Sequence, residues 1–113
     1  MNASGLENLA GQDAPCVLTL TAPKALEEEL LDLLREQTDL ASGFSVLHGY
    51  GLGAGATLVS PMERVQGRAQ RVVVQLLMQQ ADVAALIARL SASLKSHEVA
   101  YWAVPVLTAG RLA

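Results

Sequence analysis

The chain of 113 residues has the length of one domain, and 51% of its residues are hydrophobic whereas only 17% are charged. Soluble domains usually carry about a quarter charged residues, so this deficit predicts further apolar surface that is buried between copies of the chain. The net charge of −3 provides no basic surface for nucleic acid, which excludes nucleic acid as an expected partner.

The cysteine count and the hydropathy indicate the compartment. Cys16 is the single cysteine, so the chain forms no internal disulfide and has no cysteine pair for a structural metal. The first 15 residues contain neither lysine nor arginine and no apolar run of signal-peptide length, and no later run reaches the length of a membrane span. We therefore expect a cytoplasmic protein without membrane insertion.

Six elements follow a polar N-terminal extension at residues 1–15, which we expect to be flexible. Apolar runs rich in β-branched residues predict strands, and apolar residues at helical spacing predict helices. Pro23 suits the first position of one helix, Asp82 suits the N-cap of the other, and Pro105 suits an edge strand. The expected elements are a strand at 16–21, a helix from 23 to about 37, strands at 43–50 and 70–78, a helix from 82 to 94 and a strand at 99–107.

This order of elements predicts an α+β, ferredoxin-like βαββαβ domain at residues 16–113, in which two helices cover one face of a four-stranded antiparallel sheet. Alternation along the strand at 70–78 distinguishes the two faces of the sheet. One face carries Val72, Val74, Leu76 and Met78, and the other carries Arg71, Val73, Gln75 and Leu77. Because the second face is still partly apolar, we expect it to mediate self-association.

The candidate functional segment is the long loop between the second and third strands, from His48 to Arg71. Loops of this length are uncommon in compact domains and are usually functional or disordered. Glycine occupies every second position at its start, namely Gly49, Gly51, Gly53 and Gly55. Glycine N–H groups can approach an anion closely, although loop mobility alone also explains the pattern. The spacing does not match a Walker A loop, because no Gly-Lys-Ser/Thr follows.

Arginines at the end of the loop are further candidates for ligand binding. Arg64, Arg68 and Arg71 lie within eight residues, and guanidinium groups bind phosphate and carboxylate groups bidentately. Their spacing predicts contact with an anion or with a partner protein. The alternative is that they are solvated or pair with Glu63 or with the glutamates at 27–29.

The two histidines, His48 and His97, are candidate metal ligands. If the fold brings them together across a subunit boundary, they form a metal site with Cys16 or Glu98. The alternative is that both are ordinary surface residues. Neither histidine has a serine or cysteine nearby in a recognisable nucleophile pattern, so we expect no enzymatic activity.

Two motifs resemble the PII-like superfamily, which includes the nitrogen-regulatory PII proteins and the CutA-like divalent-cation-tolerance proteins. The first is the strand end His48-Gly49-Tyr50-Gly51, because PII proteins open their long T-loop with a similar Gly-aromatic-Gly. The second is the segment 63–68 leading into the next strand. The resemblance covers about residues 16–112, and the closing Tyr101-Trp102 with residues 105–107 and 110–112 is similar to an uncharacterised bacterial subgroup often encoded beside heavy-metal efflux pumps.

The resemblance implies a regulatory homotrimer. Its small effector, an adenine nucleotide or a divalent metal, is expected in the clefts between subunits, and the loop at 49–68 is expected to contact a partner protein. Nucleotide-binding PII proteins carry a glycine- and lysine-containing loop before the last strand, whereas the corresponding residues 95–98 contain no glycine. In this respect the chain resembles the CutA-like branch, so a metal-binding protein of divalent-cation tolerance is the alternative.

Overall fold

The computed structural model describes residues 14–41, 43–51 and 69–113. In chain order its elements are strand β1 (Pro15–Pro23), a 3-10 turn (Lys24–Leu26), helix α1 (Glu27–Arg35), strand β2 (Ser45–Gly51), strand β3 (Ala69–Gln79), helix α2 (Gln80–Ser93) and strand β4 (Ala100–Pro105). The predicted order of strands and helices is confirmed. The flexible extension predicted at 1–15 lies outside the described residues, except that Ala14 is described and Pro15 begins β1.

The four strands form one antiparallel sheet in the order β2-β3-β1-β4. The two longest strands, β1 and β3, occupy its centre and pair along their lengths, with Leu18 opposite Leu76 and Leu20 opposite Val74. β4 lies at an edge, as expected from Pro105, which is its last residue. This arrangement confirms the predicted ferredoxin-like α+β fold.

Both helices pack on the same face of the sheet, and the core lies between the helices and the sheet. The apolar residues predicted for this face of β3 are confirmed as buried, and Leu34 of α1 and Leu86 of α2 are fully buried against them. The other strand residues of the core are Cys16, Leu18, Leu20 and Ala22. Their alternation along β1 follows from the period of two in a strand with one covered face.

The face opposite the helices, called the open face below, retains exposed apolar side chains. Directly paired residues share a face, and on this criterion the open face carries Val17, Leu47, Val73, Leu77, Trp102 and Val104. Leu47 is 51% exposed and Trp102 is 50% exposed. The mixed character predicted for this face is confirmed, including the polar residues Arg71 and Gln75 on β3.

The start of the first helix differs from the prediction. Pro23 is the last residue of β1, where it pairs with Arg71, and its ψ of 145° is extended. The chain turns helical only at Lys24, and α1 proper runs from Glu27 to Arg35. Pairing with β3 holds Pro23 in the sheet. The restricted φ of the proline is therefore used at the residue that precedes the helical turn and not inside the helix.

The start of the second helix also differs from the prediction. Asp82 was expected at the N-cap, but α2 begins at Gln80 and the N-cap is Gln79, the last residue of β3. No loop separates β3 from α2, and the Gln80 N–H donates to the carbonyl of Ala14 at 3.0 Å. That contact supplies an acceptor for a first-turn N–H, while the Asp82 carboxylate lies in the first turn, where the helix dipole favours a negative charge.

Candidate functional site

A surface cavity of about 380 Å³ lies where the end of β2 meets the start of β3. It is called the β2–β3 cavity below. Its lining residues are Lys24, His48, Gly49, Tyr50, Gln70 and Arg71. The 3-10 turn provides Lys24, and the two strands provide the others. The cavity therefore lies beside both described ends of the long connection between β2 and β3.

The structure brings several of the predicted site residues together at this cavity. His48, Gly49 and Arg71 line it, and Gly51 packs against the side chain of Arg71. His48 to Gly51 belong to β2 and Arg71 to β3, so both ends of the segment interpreted as a loop are strand. Gly53, Gly55, Arg64 and Arg68 lie outside the described residues, and their predicted roles stay predictions.

Three lining residues were not among the predicted ligand contacts. Tyr50 lies between two predicted glycines, and Gln70 precedes a predicted arginine. Both residues could therefore have been predicted from their neighbours in the sequence. Lys24 carries no such signal, because it is 24 residues before His48 in the chain. Only the contact of the 3-10 turn with β3 in the folded chain brings it to the cavity.

Arg71 connects the cavity to two other elements. Its Nη2 donates to the Glu98 carbonyl at 3.1 Å and to Thr21 Oγ1 at 3.4 Å. Since β1 lies between β3 and β4 in the sheet, the side chain passes over β1 to reach the turn before β4. Neither of these contacts is with the glutamate carboxylates at 27–29 that were considered as partners for the loop arginines. Glu63, the other partner considered, lies outside the described residues.

Glu27 contacts two basic residues of the cavity wall. Its Oε1 lies 2.9 Å from His48 Nε2 and 3.5 Å from Lys24 Nζ. The hydrogen bond with His48 lowers the pKa of the Glu27 carboxyl, against a smaller opposing effect of burial, and the charges of His48 and Lys24 lower it further. The carboxylate therefore stays ionised and joins the first turn of α1 to β2.

The charge balance of the cavity favours an anion. Lys24 and Arg71 carry permanent positive charges in the wall, whereas Glu27, the nearby carboxylate, is already hydrogen-bonded. Arg71 presents planar, bidentate N–H donors, and Tyr50 provides an aromatic ring with a polar tip. A phosphate or carboxylate group attached to a small organic body matches this lining.

The predicted metal ligands do not form a metal site within the described part of one chain. Residues 14–41, 43–51 and 69–113 contain no group of three His, Cys, Asp or Glu side chains arranged to hold a metal. His48 binds Glu27, His97 lies in the turn between α2 and β4, and Cys16 is buried, which raises the pKa of its thiol. The metal prediction concerned a subunit boundary, so it stays a prediction.

A second depression borders the turn that Arg71 contacts. It has a volume of about 750 Å³ and is called the α2–β4 cleft below. Its lining residues are Pro23, Ala25, Leu26, Glu29, Ala92, Ser93, Leu94, Lys95, Ser96 and Glu98. The predicted turn at 95–98 is present, and it forms one wall of this cleft. The contact between Arg71 and Glu98 thus lies between the two depressions.

Comparison with known families identifies the chain. Residues 13–113 match the family described as "Protein of unknown function (DUF3240)". The chain belongs to the DUF3240 family. No protein with a curated functional description matches this DUF3240 chain.

Solved structures similar to this DUF3240 protein include another member of the family. The DUF3240 protein from Shewanella baltica OS155 is 22% identical with a TM-score of 0.71, and the match covers 90% of this chain and 100% of that one. CPII, a nitrogen-regulatory PII-like protein from Thiomonas intermedia K12 bound to ADP, AMP and bicarbonate, is 16% identical with a TM-score of 0.62, over 86% and 94% of the two chains. CutA1 from Oryza sativa is 16% identical with a TM-score of 0.62, over 88% and 85%.

At these identities the comparison shows the fold. The resemblance to the PII-like superfamily is confirmed at that level, because both PII-like and CutA proteins share the architecture of this DUF3240 chain. Among the described residues, no helix is both long and apolar enough to span a bilayer.

Proposed function

We propose that this DUF3240 protein is a PII-like regulatory protein. It forms a homotrimer, binds a small anionic ligand in clefts between subunits to which the β2–β3 cavity of each subunit contributes, and acts on a partner protein through residues 49–68. The observation that carries the proposal is the β2–β3 cavity, where Arg71, Lys24 and His48 line one depression together with Gly49, the first residue of that segment. Binding there is well placed to alter the segment, because Gly49 at its start lines the cavity, and so do Gln70 and Arg71, which follow shortly after it in the chain.

The open face supports self-association. Leu47 on β2 and Trp102 and Val104 on β4 are each about half exposed, and they lie towards opposite edges of this face, with Val73 of β3 between them. Isolated exposed apolar residues are ordinary, but several on one face of a sheet are typical of an interaction surface. The low content of charged residues agrees with burial of such a surface between copies.

In this proposal the protein acts as a regulator in the cytoplasm and has no catalytic activity of its own. CPII is bound to ADP, AMP and bicarbonate, so these anions are the first ligands to test here. The resemblance to the subgroup encoded beside efflux pumps suggests a heavy-metal efflux component as the partner.

A CutA-like metal-binding protein of divalent-cation tolerance is the second candidate. The specific observation in its favour is the TM-score of 0.62 to CutA1, which equals the TM-score to CPII. The site would use His48 and His97 from different subunits, with Cys16 or Glu98 as a further ligand. This candidate predicts loss of metal on changing either histidine.

Native mass spectrometry of the full chain tests both candidates, with ADP, AMP, ATP, bicarbonate, zinc and copper offered in turn. The first candidate predicts a trimer that binds one nucleotide for each subunit. A trimer that binds only metal favours the second candidate, and a monomer contradicts both.

Variants identify the site that is responsible. We expect Arg71→Gln and Lys24→Ala each to weaken nucleotide binding by about tenfold or more, since each removes a charged contact with the anion. Arg35→Ala is the matched control, because Arg35 is exposed on α1 and pairs with Asp32. Equal losses in all three variants would indicate a non-specific effect of charge and contradict the assignment of the cavity.

A further inference from the structure

Arg71 is the side chain that links the β2–β3 cavity to the α2–β4 turn. It lines the cavity, is partly buried, and donates to the backbone carbonyl of Glu98. The carbonyl belongs to a turn that is separated from Arg71 by 27 residues in sequence. One side chain thus lines the cavity and also donates to the turn.

Other hydrogen bonds also hold the turn, and the Ser96 N–H donates to the Leu94 carbonyl at 3.2 Å. The Glu98 N–H donates to Ser96 Oγ at 3.2 Å, and the Val99 N–H donates to the Ser96 carbonyl at 3.2 Å. One carboxylate oxygen of Glu98, Oε2, is buried without a hydrogen-bond partner in the described part of the chain. The charged donor on the Glu98 carbonyl adds to these hydrogen bonds, and hydrogen bonds to charged groups are stronger than neutral ones.

Among the described residues, Arg71 uses one of its three guanidinium nitrogens as a donor. Both hydrogen bonds use Nη2, and the N–H groups on Nε and Nη1 have no partner within residues 14–41, 43–51 and 69–113. The guanidinium is planar and rigid, so holding Nη2 on the turn also fixes the direction of the other donors. The turn thereby preorganises Arg71 for an anion.

We infer that Arg71 couples the two sites: an anionic ligand in the β2–β3 cavity binds the spare donors of Arg71 and thereby stabilises the α2–β4 turn. The ligand restrains the guanidinium, and the restrained guanidinium holds the Glu98 carbonyl more firmly. Coupling of this kind is reciprocal, so a disordered turn weakens ligand binding. The inference rests on the proposed function, because it requires the cavity to be the ligand site.

Ligand binding in the β2–β3 cavity then also changes the order of a second surface. The turn forms a wall of the α2–β4 cleft, together with Lys95 and Ser96. A partner in contact with that cleft meets a better-ordered wall when the cavity is occupied. The consequence is a regulatory signal at the α2–β4 cleft in addition to any signal carried by residues 49–68.

Amide hydrogen exchange of the full chain tests the coupling, with ADP as the probe. The reporters are the hydrogen-bonded amides of Glu98 and Val99. In the free protein, Arg71→Gln is expected to accelerate their exchange, whereas the control Arg35→Ala leaves it unchanged. In the wild-type protein, saturating ADP is expected to slow their exchange by a factor within the usual coupling range of about 5-fold to 150-fold. In Arg71→Lys, which keeps the charge and loses the rigid fork, bound ADP leaves their exchange unchanged.

The outcomes separate the inference from the proposed function. Wild-type protein that binds ADP without slower exchange at Glu98 and Val99 overturns the coupling and leaves the proposed function standing. ADP-induced protection that persists in Arg71→Gln also overturns it, because the coupling then bypasses Arg71. Wild-type protein that binds neither ADP, AMP nor inorganic phosphate overturns both.

Discussion

The backbone of Gly51 lies against the aliphatic part of the Arg71 side chain. A Cβ atom at position 51 would stand 3.1 Å from Cγ and 3.2 Å from Cδ of Arg71, which is tighter than most contacts that a Cβ makes. At Gly49, two residues earlier on the same strand, a Cβ would meet nothing within 4 Å. Neither glycine has a left-handed φ. The two glycines therefore differ in the space around them and not in backbone conformation.

This difference predicts opposite effects of alanine at the two positions. Gly49→Ala is expected to stabilise the fold by about 0.4–1 kcal/mol, because it reduces the entropy of the unfolded chain at a position that tolerates a Cβ. Gly51→Ala is expected to be less stable than Gly49→Ala by about 1–3 kcal/mol, because it displaces Arg71 from the Glu98 carbonyl. Urea unfolding measures both free energies. Equal effects would contradict the packing of Arg71 against Gly51.

The Glu27–His48 contact predicts an acid-dependent loss of stability. The pKa of Glu27 is lowered in the folded state from the ordinary value of 4.5. A depressed carboxyl pKa contributes stability that is present above the unfolded pKa and is lost as the pH falls through the folded pKa. We therefore expect Glu27→Gln to be less stable than wild type at pH 6, and the difference to vanish as the pH falls below 4.5 towards the folded pKa.

Thermal unfolding at a series of pH values measures this difference. Glu28→Gln is the matched control, since it makes the same substitution at the exposed neighbouring position on the same helical turn. A constant gap between wild type and Glu27→Gln from pH 6 to pH 3 would indicate a packing effect and not an electrostatic one.

Cys16 is expected to be unreactive in the folded protein. It is 1% exposed, and burial raises the pKa of its thiol, so little thiolate is available to a thiol reagent. Modification by Ellman's reagent at pH 8 should be at least about 10³-fold slower than in denaturant, because the core must open first. Reaction at the denatured rate would show an accessible thiol and make Cys16 available to the predicted metal site.

The open face predicts a variant that separates assembly from folding. Leu47→Glu places a charge among the exposed apolar side chains of this face, at its β2 edge, so we expect it to dissociate the proposed homotrimer while the circular dichroism spectrum is retained. Ala84→Glu, exposed on α2 away from that face, is the control. Sedimentation velocity reports the mass of each variant. An unchanged assembly in Leu47→Glu would place the subunit contacts elsewhere.

The amino-acid sequence by itself determined the order of the elements and the faces of the sheet. Apolar alternation along β3 and helical spacing in α1 and α2 are local properties, and local spacing decides which side chains share a face. The sequence did not determine where the helices begin. Pro23 and Asp82 both suit helix starts locally, but pairing with β3 keeps Pro23 in the sheet, and the direct passage from β3 into α2 places Asp82 inside the helix.

The tertiary structure alone decided the make-up of the candidate site. His48 and Arg71 were recognisable as candidates because they flank an unusual segment, whereas Lys24 and the Glu98 carbonyl carry no signal in the sequence. Their positions depend on sheet register, which brings together residues that are distant along the chain. Every residue also has a backbone carbonyl. Only the path of the Arg71 side chain over β1 determines that the carbonyl of Glu98 accepts its hydrogen bond.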